Sequence, residues 1–260
     1  MPGKLALAGE YAVLEPHQKL IVMAVNRFVH TQIKTSSENK LSFKNFDLHD
    51  VHWLFHDGSL TIEGNDPRFR FVSEAMRVAL TFLKEQSIPF ENFSLTIKSH
   101  LEDESGIKYG LGSSAAVVTS VVTSILAKYY DAKPDKNLIF KLSAIAHVNV
   151  QGNGSGFDIA ASTYGGMLEY ASFQAEWLLE AYKQANSLSE LVFKKWPYLA
   201  IRQVKLPDSV RVYIGWTGNP ASTSELVSRL LLLKTDNPQQ FNQFLEDSRK
   251  AVDIYLQGLK

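Results

Sequence analysis

Apolar and polar positions alternate in short runs through the first hundred residues, the pattern of half-buried strands. Residues 69–86 differ, because their apolar side chains recur at helical spacing, with Phe71, Met76, Leu80 and Leu83 on one side. The pattern therefore predicts one long amphipathic helix set among strands. The predicted strands occupy residues 21–25, 28–34, 41–43, 51–55, 60–62 and 93–97.

Helical patterns dominate the second half of the chain. Residues 113–128 carry no charged side chain before Lys128, which predicts a helix buried on most sides. Their valines make a strand a competitor on propensity alone, but the small residues at the start and a length of about four turns favour the helix. Further helices are predicted at 136–147, 176–183, 188–193, 224–234 and 237–256, and strands at 167–171, 198–204 and 210–215.

Strands interleaved with helices, without a repeat or a long linker, predict an α+β layered fold. The chain has 260 residues and 45% of them are hydrophobic, enough for one large domain or two small lobes around a sizeable core. It has no cysteine, which excludes disulfides and thiolate metal sites. Three histidines of the strand region, His49, His52 and His56, are interpreted as solvated or structural.

Charge and hydropathy indicate which classes of binding partner are not expected for this chain. Lys and Arg total 27, as do Asp and Glu, so the net charge is zero and a broad nucleic-acid-binding face is not expected. No apolar run reaches the roughly 18 residues that cross a bilayer, and the first residues do not form a signal peptide. We expect a cytoplasmic protein that binds small molecules, without nucleic acid or membrane partners.

The most informative stretch is Gly110-Leu111-Gly112-Ser113-Ser114-Ala115-Ala116. Its two glycines permit a sharp reversal, and its two serines stand where a helix would begin. Backbone N–H groups at the positive end of a helix suit a phosphate. Ser113 or Ser114 would cap the helix, bind a phosphate oxygen or hold Mg²⁺; a plain turn feeding a buried helix is the alternative. The spacing fits neither the P-loop nor the dinucleotide fingerprint.

Two other segments carry candidate chemistry. Residues 151–158 place glycine at every second position from 152 to 156, which lets a loop approach a ligand closely. Asp158 then begins a small-residue helix, where a simple capping role is the alternative. Near the start, Lys4 follows Gly3 and Glu10 follows a second glycine. Taken alone, both charges are surface residues.

Taken together and in this order, residues 2–14, 110–116, 151–158 and 215–223 resemble the GHMP small-molecule kinases, most nearly the phosphomevalonate kinase branch. The resemblance implies a two-lobed α+β fold with a left-handed β-α-β unit around the phosphate loop. The N-terminal domain would span residues 1–165, and residues 166–260 would form the first part of a second, C-terminal domain. The implied reaction is ATP-dependent phosphorylation of 5-phosphomevalonate to 5-diphosphomevalonate, in the mevalonate route to isoprenoids.

The resemblance also implies residue roles. Lys4 and Asp158 would flank the reacting oxygen as the catalytic pair, and Ser114 would hold Mg²⁺. The acceptor would contact Glu10, Tyr11, Ser155 and Ser222. The ATP phosphates would be bound by the loop residues Gly110, Leu111, Gly112, Ser113, Ser114 and Ala115.

The chain departs from the family pattern in three places. The family's glycine- and serine-rich third motif is absent, so we expect a C-terminally incomplete chain, and the first strand looks clipped. Mevalonate kinases place a metal-binding Glu eleven residues before the catalytic Asp, where this chain has His147. Mevalonate kinase, another GHMP kinase, or an inactive nucleotide-binding fragment therefore remain alternatives.

Overall fold

A computed structural model describes residues 1–64, 66–102, 109–218 and 223–259. Within these ranges the chain forms one mixed sheet covered by helices. The strands are β1 (Pro2–Ala8), β2 (Lys19–Thr35), β3 (Lys40–Phe43), β4 (Leu48–His56), β5 (Ser59–Ile62), β6 (Phe93–Ser99), β7 (Met167–Ala171) and β8 (Ala200–Val204). The helices are α1 (Arg70–Glu85), α2 (Ser113–Tyr129), α3 (Lys136–Gln151), α4 (Phe157–Tyr164), α5 (Ala175–Gln184), α6 (Leu188–Phe193), α7 (Thr223–Asp236) and α8 (Pro238–Gly258).

The central strand is β2, which is 17 residues long. The sequence predicted two strands here, interrupted by the polar pair Asn26 and Arg27. They form one strand because β2 is paired along its length: its first part pairs with β1 and β7 and its last part with β6, all antiparallel. The sheet order is β5-β4-β3-β6-β2-β7-β8, with β1 added against β2.

Helices α1, α2 and α3 pack against one another, and α2 also packs on β2. Several valines gave α2 a competing strand prediction. Three of them are fully buried: Val118, Val121 and Val122. Burying such a side chain stabilises the fold by about 1.5–3 kcal/mol, which outweighs the small helix propensity penalty of a β-branched residue. Of the apolar side chains predicted to face inward on α1, Met76, Leu80 and Leu83 are fully buried and Phe71 is half-buried.

A second apolar contact places α8 against β1, β2 and β7. Val252 of α8 packs with the buried Ile21 and Met167. Gly9, just beyond β1, has φ +87°, and a Cβ there would lie 2.2 Å from the carbonyl oxygen of Lys19. Only glycine fits this close approach, which fixes the path of the chain into residues 10 and 11.

One predicted strand is wrong. Residues 210–215 are described and form no strand, although their sequence alternates apolar and polar positions. Their apolar side chains lie exposed, Tyr213 at 92% of its surface. The pattern failed here because no described strand pairs with the segment. The handedness of the β-α-β unit and the domain division at 165 stay predictions.

None of the helices in the described ranges has the length and apolarity required to cross a membrane.

Candidate active site

The loop at residues 110–112 ends at the N-terminus of α2. Gly112 is the N-cap, with the left-handed angles φ 74° and ψ 45°, and no side chain caps the helix. The first intrahelical hydrogen bond runs from Ala116 N–H to the Gly112 carbonyl at 3.1 Å, so the N–H groups of 113–115 precede the helical ladder. The first turn contains no acidic residue. The positive helix end therefore suits an anion.

Lys4 lies directly against this loop. Its backbone N–H donates to the Leu111 carbonyl at 2.9 Å, which ties β1 to the loop. A Cβ on Gly112 would lie 3.0 Å from Cγ and 3.1 Å from Cε of Lys4. Glycine at 112 thus serves the left-handed turn and also leaves room for the lysine stem.

Asp158 approaches the same glycine from the first turn of α4. A Cβ on Gly112 would lie 3.6 Å from Cβ of Asp158. The ammonium of Lys4 lies 5.0 Å from the ring centroid of Phe157, the neighbour of Asp158. Ser162 of α4 donates to the carbonyl of Pro2 at 2.8 Å and so links α4 to β1. The structure therefore brings Lys4, Gly112 and Asp158 together.

Ser114 and His147 form a hydrogen-bonded pair in the same region. Ser114 Oγ lies 3.1 Å from Nε2 of His147. The imidazole is 3% exposed and stacks on Phe71, with 5.1 Å between centroids. Burial lowers the pKa of His147, while the nearby Asp158 carboxylate acts in the opposite direction. The lowered pKa favours the neutral imidazole at pH 7.

From the sequence, His147 could be identified only as a departure from a family pattern, and no contact was predicted for it. A histidine set between Ala146 and Val148 on an otherwise apolar stretch was the available signal. It was insufficient, because the partner serine lies 33 residues away in sequence.

Glu10 and Tyr11 form a tight turn beyond the end of β1. Ala12 N–H donates to the Glu10 carbonyl at 2.8 Å across Tyr11, which has φ 65° and ψ −41°. A γ-turn of this hand is rare and strained for a residue with a Cβ, and such strain clusters at functional sites. Glu10 is exposed and Tyr11 half-buried. Burial, together with the Glu10 carboxylate, raises the pKa of Tyr11.

Ser155 lies in the glycine loop before Asp158 and is 4% exposed. Its carbonyl accepts a hydrogen bond from the buried Tyr170 hydroxyl at 2.5 Å. Burial raises the pKa of Tyr170 well above its usual value, so the phenol remains protonated and donates. A Cβ on Gly156 would lie 2.5 Å from Cε1 of Phe173, so the loop lies tightly on these two aromatic residues. Ser222 lies outside the described residues.

The groups present fit a magnesium ion held mainly by a nucleotide. Among the residues of the described ranges, no cluster of three or more acidic or histidine side chains forms a metal site. Mg²⁺ usually keeps several waters and takes one or two protein oxygens beside phosphate oxygens. The Ser114 hydroxyl and the Asp158 carboxylate, both near Gly112, are hard oxygen donors of this kind.

Comparison with known proteins identifies the family of the chain. Residues 71–166, which include the loop at 110–116 and Asp158, match the GHMP kinases N terminal domain. A phosphomevalonate kinase of Streptomyces sp. (strain CL190) is 31% identical over 96% of this chain and 69% of its own length.

Two solved structures resemble the whole chain. The Lin0012 protein from Listeria innocua is 35% identical, with a TM-score of 0.90 over 100% of this chain and 71% of its own. The Streptococcus pneumoniae phosphomevalonate kinase in complex with phosphomevalonate and AMPPNP is 28% identical, with a TM-score of 0.81 over 99% of this chain and 72% of its own. The fold, the loop at the start of α2 and these relatives agree: the chain belongs to the GHMP kinases, on their phosphomevalonate kinase branch.

Proposed function

We propose that this chain transfers the γ-phosphoryl group of ATP to the phosphate of 5-phosphomevalonate, giving 5-diphosphomevalonate and ADP in the cytoplasm. The observation that carries the proposal is the meeting of Lys4 and Asp158 at Gly112, the N-cap of α2. The acceptor and the nucleotide are supported by the Streptomyces relative and by the ligands of the Streptococcus pneumoniae structure.

The α2 N-terminus is the proposed site of the ATP phosphates. Phosphoryl transfer requires mainly positioning of the reactants and stabilisation of charge on the transferred group. Backbone N–H groups at 113–115 provide fixed donors, and the glycines at 110 and 112 bring the backbone close to the ligand. Donors that the backbone of a helix end holds in fixed positions need no reorganisation as charge develops on the transferred group.

Lys4 is proposed to stabilise charge between the two anionic reactants. Its ammonium is a compact charge on a flexible stem, and that stem runs along the backbone at Gly112. Transfer to a phosphate brings two anions together, and a cation between them reduces their repulsion. The benefit is greatest as the transition state forms, so Lys4 acts on turnover more than on ground-state binding.

Asp158 is proposed to orient the acceptor and the lysine. A phosphomonoester has a second pKa near 6 and is largely dianionic at neutral pH. Such an acceptor is already a nucleophile, so no strong general base is required. An alcohol acceptor such as mevalonate would instead need a base, and Asp158 would then accept its proton.

The proposed magnesium ion would be held by the Ser114 hydroxyl, the nucleotide phosphates and Asp158. When bound, it neutralises phosphate charge and aligns the nucleotide. Glu10, Tyr11, Ser155 and Ser222 are proposed to contact the acceptor. The tight turn at Tyr11 and the anchored carbonyl of Ser155 give two of these residues a defined backbone.

An acceptor panel tests the proposal. ADP release would be followed with Mg·ATP and, separately, mevalonate, 5-phosphomevalonate and homoserine. We expect kcat/KM for 5-phosphomevalonate to exceed the others by at least about 10³-fold, because a site built to bind the acceptor phosphate leaves its polar groups unpaired when the acceptor lacks that phosphate. A preference for mevalonate would favour the mevalonate kinase alternative. Lys4→Met is the matched control for contaminating ATPase activity.

A further inference from the structure

Three helices meet where Ser114 and His147 contact each other. Ser114 lies in the first turn of α2, His147 in the last part of α3, and Phe71 in the first turn of α1. The imidazole is held by burial and by stacking on the Phe71 ring at an interplanar angle of 28°. Its Nε2 lies 3.1 Å from Ser114 Oγ. The nitrogen is thus fixed on one side of a hydroxyl that belongs to the phosphate-binding turn.

We propose that His147 is a positioning residue, whose Nε2 holds the Ser114 hydroxyl in the orientation that contacts the metal-bound nucleotide. The inference rests on the proposed function, because it requires a nucleotide at the start of α2. It assigns no metal contact to His147 itself.

A serine hydroxyl at a helix N-terminus has several alternatives. It has three staggered positions about χ1, and in some of them it bonds to nearby backbone instead of facing outward. The hydrogen bond to a fixed ring nitrogen selects one of them. Whichever group donates, a lone pair of Oγ that this bond leaves free then keeps a constant direction. The expected gain is preorganisation, which shows in affinity for the metal-bound nucleotide and not in affinity for the nucleotide alone.

A purely structural role is the competing explanation. A buried imidazole nitrogen needs a partner, and Ser114 would satisfy it without any consequence for ligands. The two explanations differ in what a variant changes. Loss of a structural bond lowers stability and affects every form of the nucleotide alike, whereas loss of a positioning bond affects the Mg²⁺-dependent part of binding.

The test compares the wild-type chain with His147→Phe, His147→Gln, Ser114→Ala and the His147→Phe/Ser114→Ala double variant. Phenylalanine keeps an aromatic ring against Phe71 but removes both nitrogens, and glutamine restores a polar atom at similar reach. Calorimetry would give the dissociation constant of AMPPNP twice, with Mg²⁺ and with EDTA. Thermal unfolding of each variant would report stability separately.

We expect His147→Phe and Ser114→Ala each to weaken Mg·AMPPNP binding about tenfold, the lower end of losses seen when residues that orient metal ligands are removed. Binding in EDTA should stay unchanged in His147→Phe. The double variant should lose no more than either single variant, because both remove one interaction. His147→Gln should recover a substantial part of the loss.

Three results would overturn the inference: wild-type affinity in His147→Phe, equal losses with Mg²⁺ and with EDTA, or multiplying losses in the double variant. The acceptor takes no part in this experiment. A wrong acceptor therefore leaves the inference standing, while a wild-type chain that binds no Mg·AMPPNP would overturn the proposed function and this inference together.

Discussion

The side chain of Lys4 crosses the backbone of Gly112 so closely that a Cβ on the glycine would lie 3.0 Å from its Cγ and 3.1 Å from its Cε. The conformation of the loop and the position of the proposed catalytic charge are therefore coupled. Asp158 joins the same contact, since its Cβ would lie 3.6 Å from that atom. A methyl group at 112 would therefore press on the Lys4 side chain while meeting Asp158 only at ordinary contact distance.

Gly112→Ala should reduce activity more than it reduces stability. The new methyl group displaces the Lys4 side chain. Alanine in the left-handed conformation of residue 112 also adds a strain of about 1–2 kcal/mol. We expect kcat/KM to fall by at least about tenfold, because even a small displacement of a reacting group slows the reaction. Steady-state kinetics and thermal unfolding, measured on the same preparation, check both parts.

Gly110→Ala is the matched control. Gly110 has φ +78°, close to the +74° of Gly112, but a Cβ there would meet no atom of the described residues within 4 Å. Both variants carry similar backbone strain, and only one contacts Lys4. Equal activity losses in the two variants would show that a change in the loop itself, and not the contact with Lys4, explains the effect.

Lys4→Met should lower turnover far more than nucleotide affinity. Methionine keeps most of the apolar stem while removing the ammonium, so packing against Gly112 and Phe157 is largely retained. We expect kcat to fall by about 10²–10³, the usual cost of removing one group that stabilises transition-state charge. The dissociation constant of AMPPNP should change little. An equal loss in kcat and affinity would contradict the assigned role.

Asp158→Asn distinguishes orientation from proton transfer. Asparagine can still hydrogen-bond to the acceptor or the lysine but is not a base. With a dianionic acceptor we expect kcat to fall by less than about tenfold, since general-base catalysis typically contributes about 10²–10⁴-fold where it operates. Single-turnover measurement of the chemical step is the check. A loss beyond about 10³ would contradict a purely orienting role for Asp158.

Several elements of the fold could be predicted because their signals are local. Glycine at 110 and 112 followed by two serines marks a helix start, and α2 begins at Ser113 as predicted. The strand at Met167–Ala171 and the helix at Leu188–Phe193 have the predicted bounds. In each case the side-chain pattern and the neighbouring turn residues favour the same structure.

The features that sequence could not provide depend on distant partners. The predicted strands at 21–25 and 28–34 are one strand because β1, β6 and β7 pair along β2. Residues 210–215 have a strand pattern and no described partner strand. The contact of His147 with Ser114 depends on how α2 and α3 pack. The periodicity of apolar residues describes one segment at a time, so it does not predict contacts between segments that are distant in sequence.

Gly156→Ala should destabilise the chain. The residue has φ +77°, and its Cβ would lie 2.5 Å from Cε1 of the fully buried Phe173. Overpacking of a buried contact costs about 1–3 kcal/mol, in addition to about 1–2 kcal/mol for the left-handed conformation. The midpoint of thermal unfolding, followed by circular dichroism, should fall clearly.

Gly152→Ala is the comparison for this prediction. Gly152 has the same φ of +77°, and a Cβ there would meet none of the atoms in the described part of the chain within 4 Å. We expect it to lose only the conformational part of the free energy of unfolding. If both variants unfold at the same temperature, packing of the 152–156 loop on Phe173 does not contribute to the stability of the chain.

Identifying the product by ³¹P NMR would decide which acceptor the chain phosphorylates. The chain would be incubated with Mg·ATP and 5-phosphomevalonate, with mevalonate and the Lys4→Met variant as parallel controls. Only in the wild-type sample with 5-phosphomevalonate do we expect the acceptor phosphomonoester signal to disappear. ADP and a new pair of coupled diphosphate signals should appear in that sample. A new phosphomonoester signal from mevalonate, with 5-phosphomevalonate left unchanged, would contradict the proposed function.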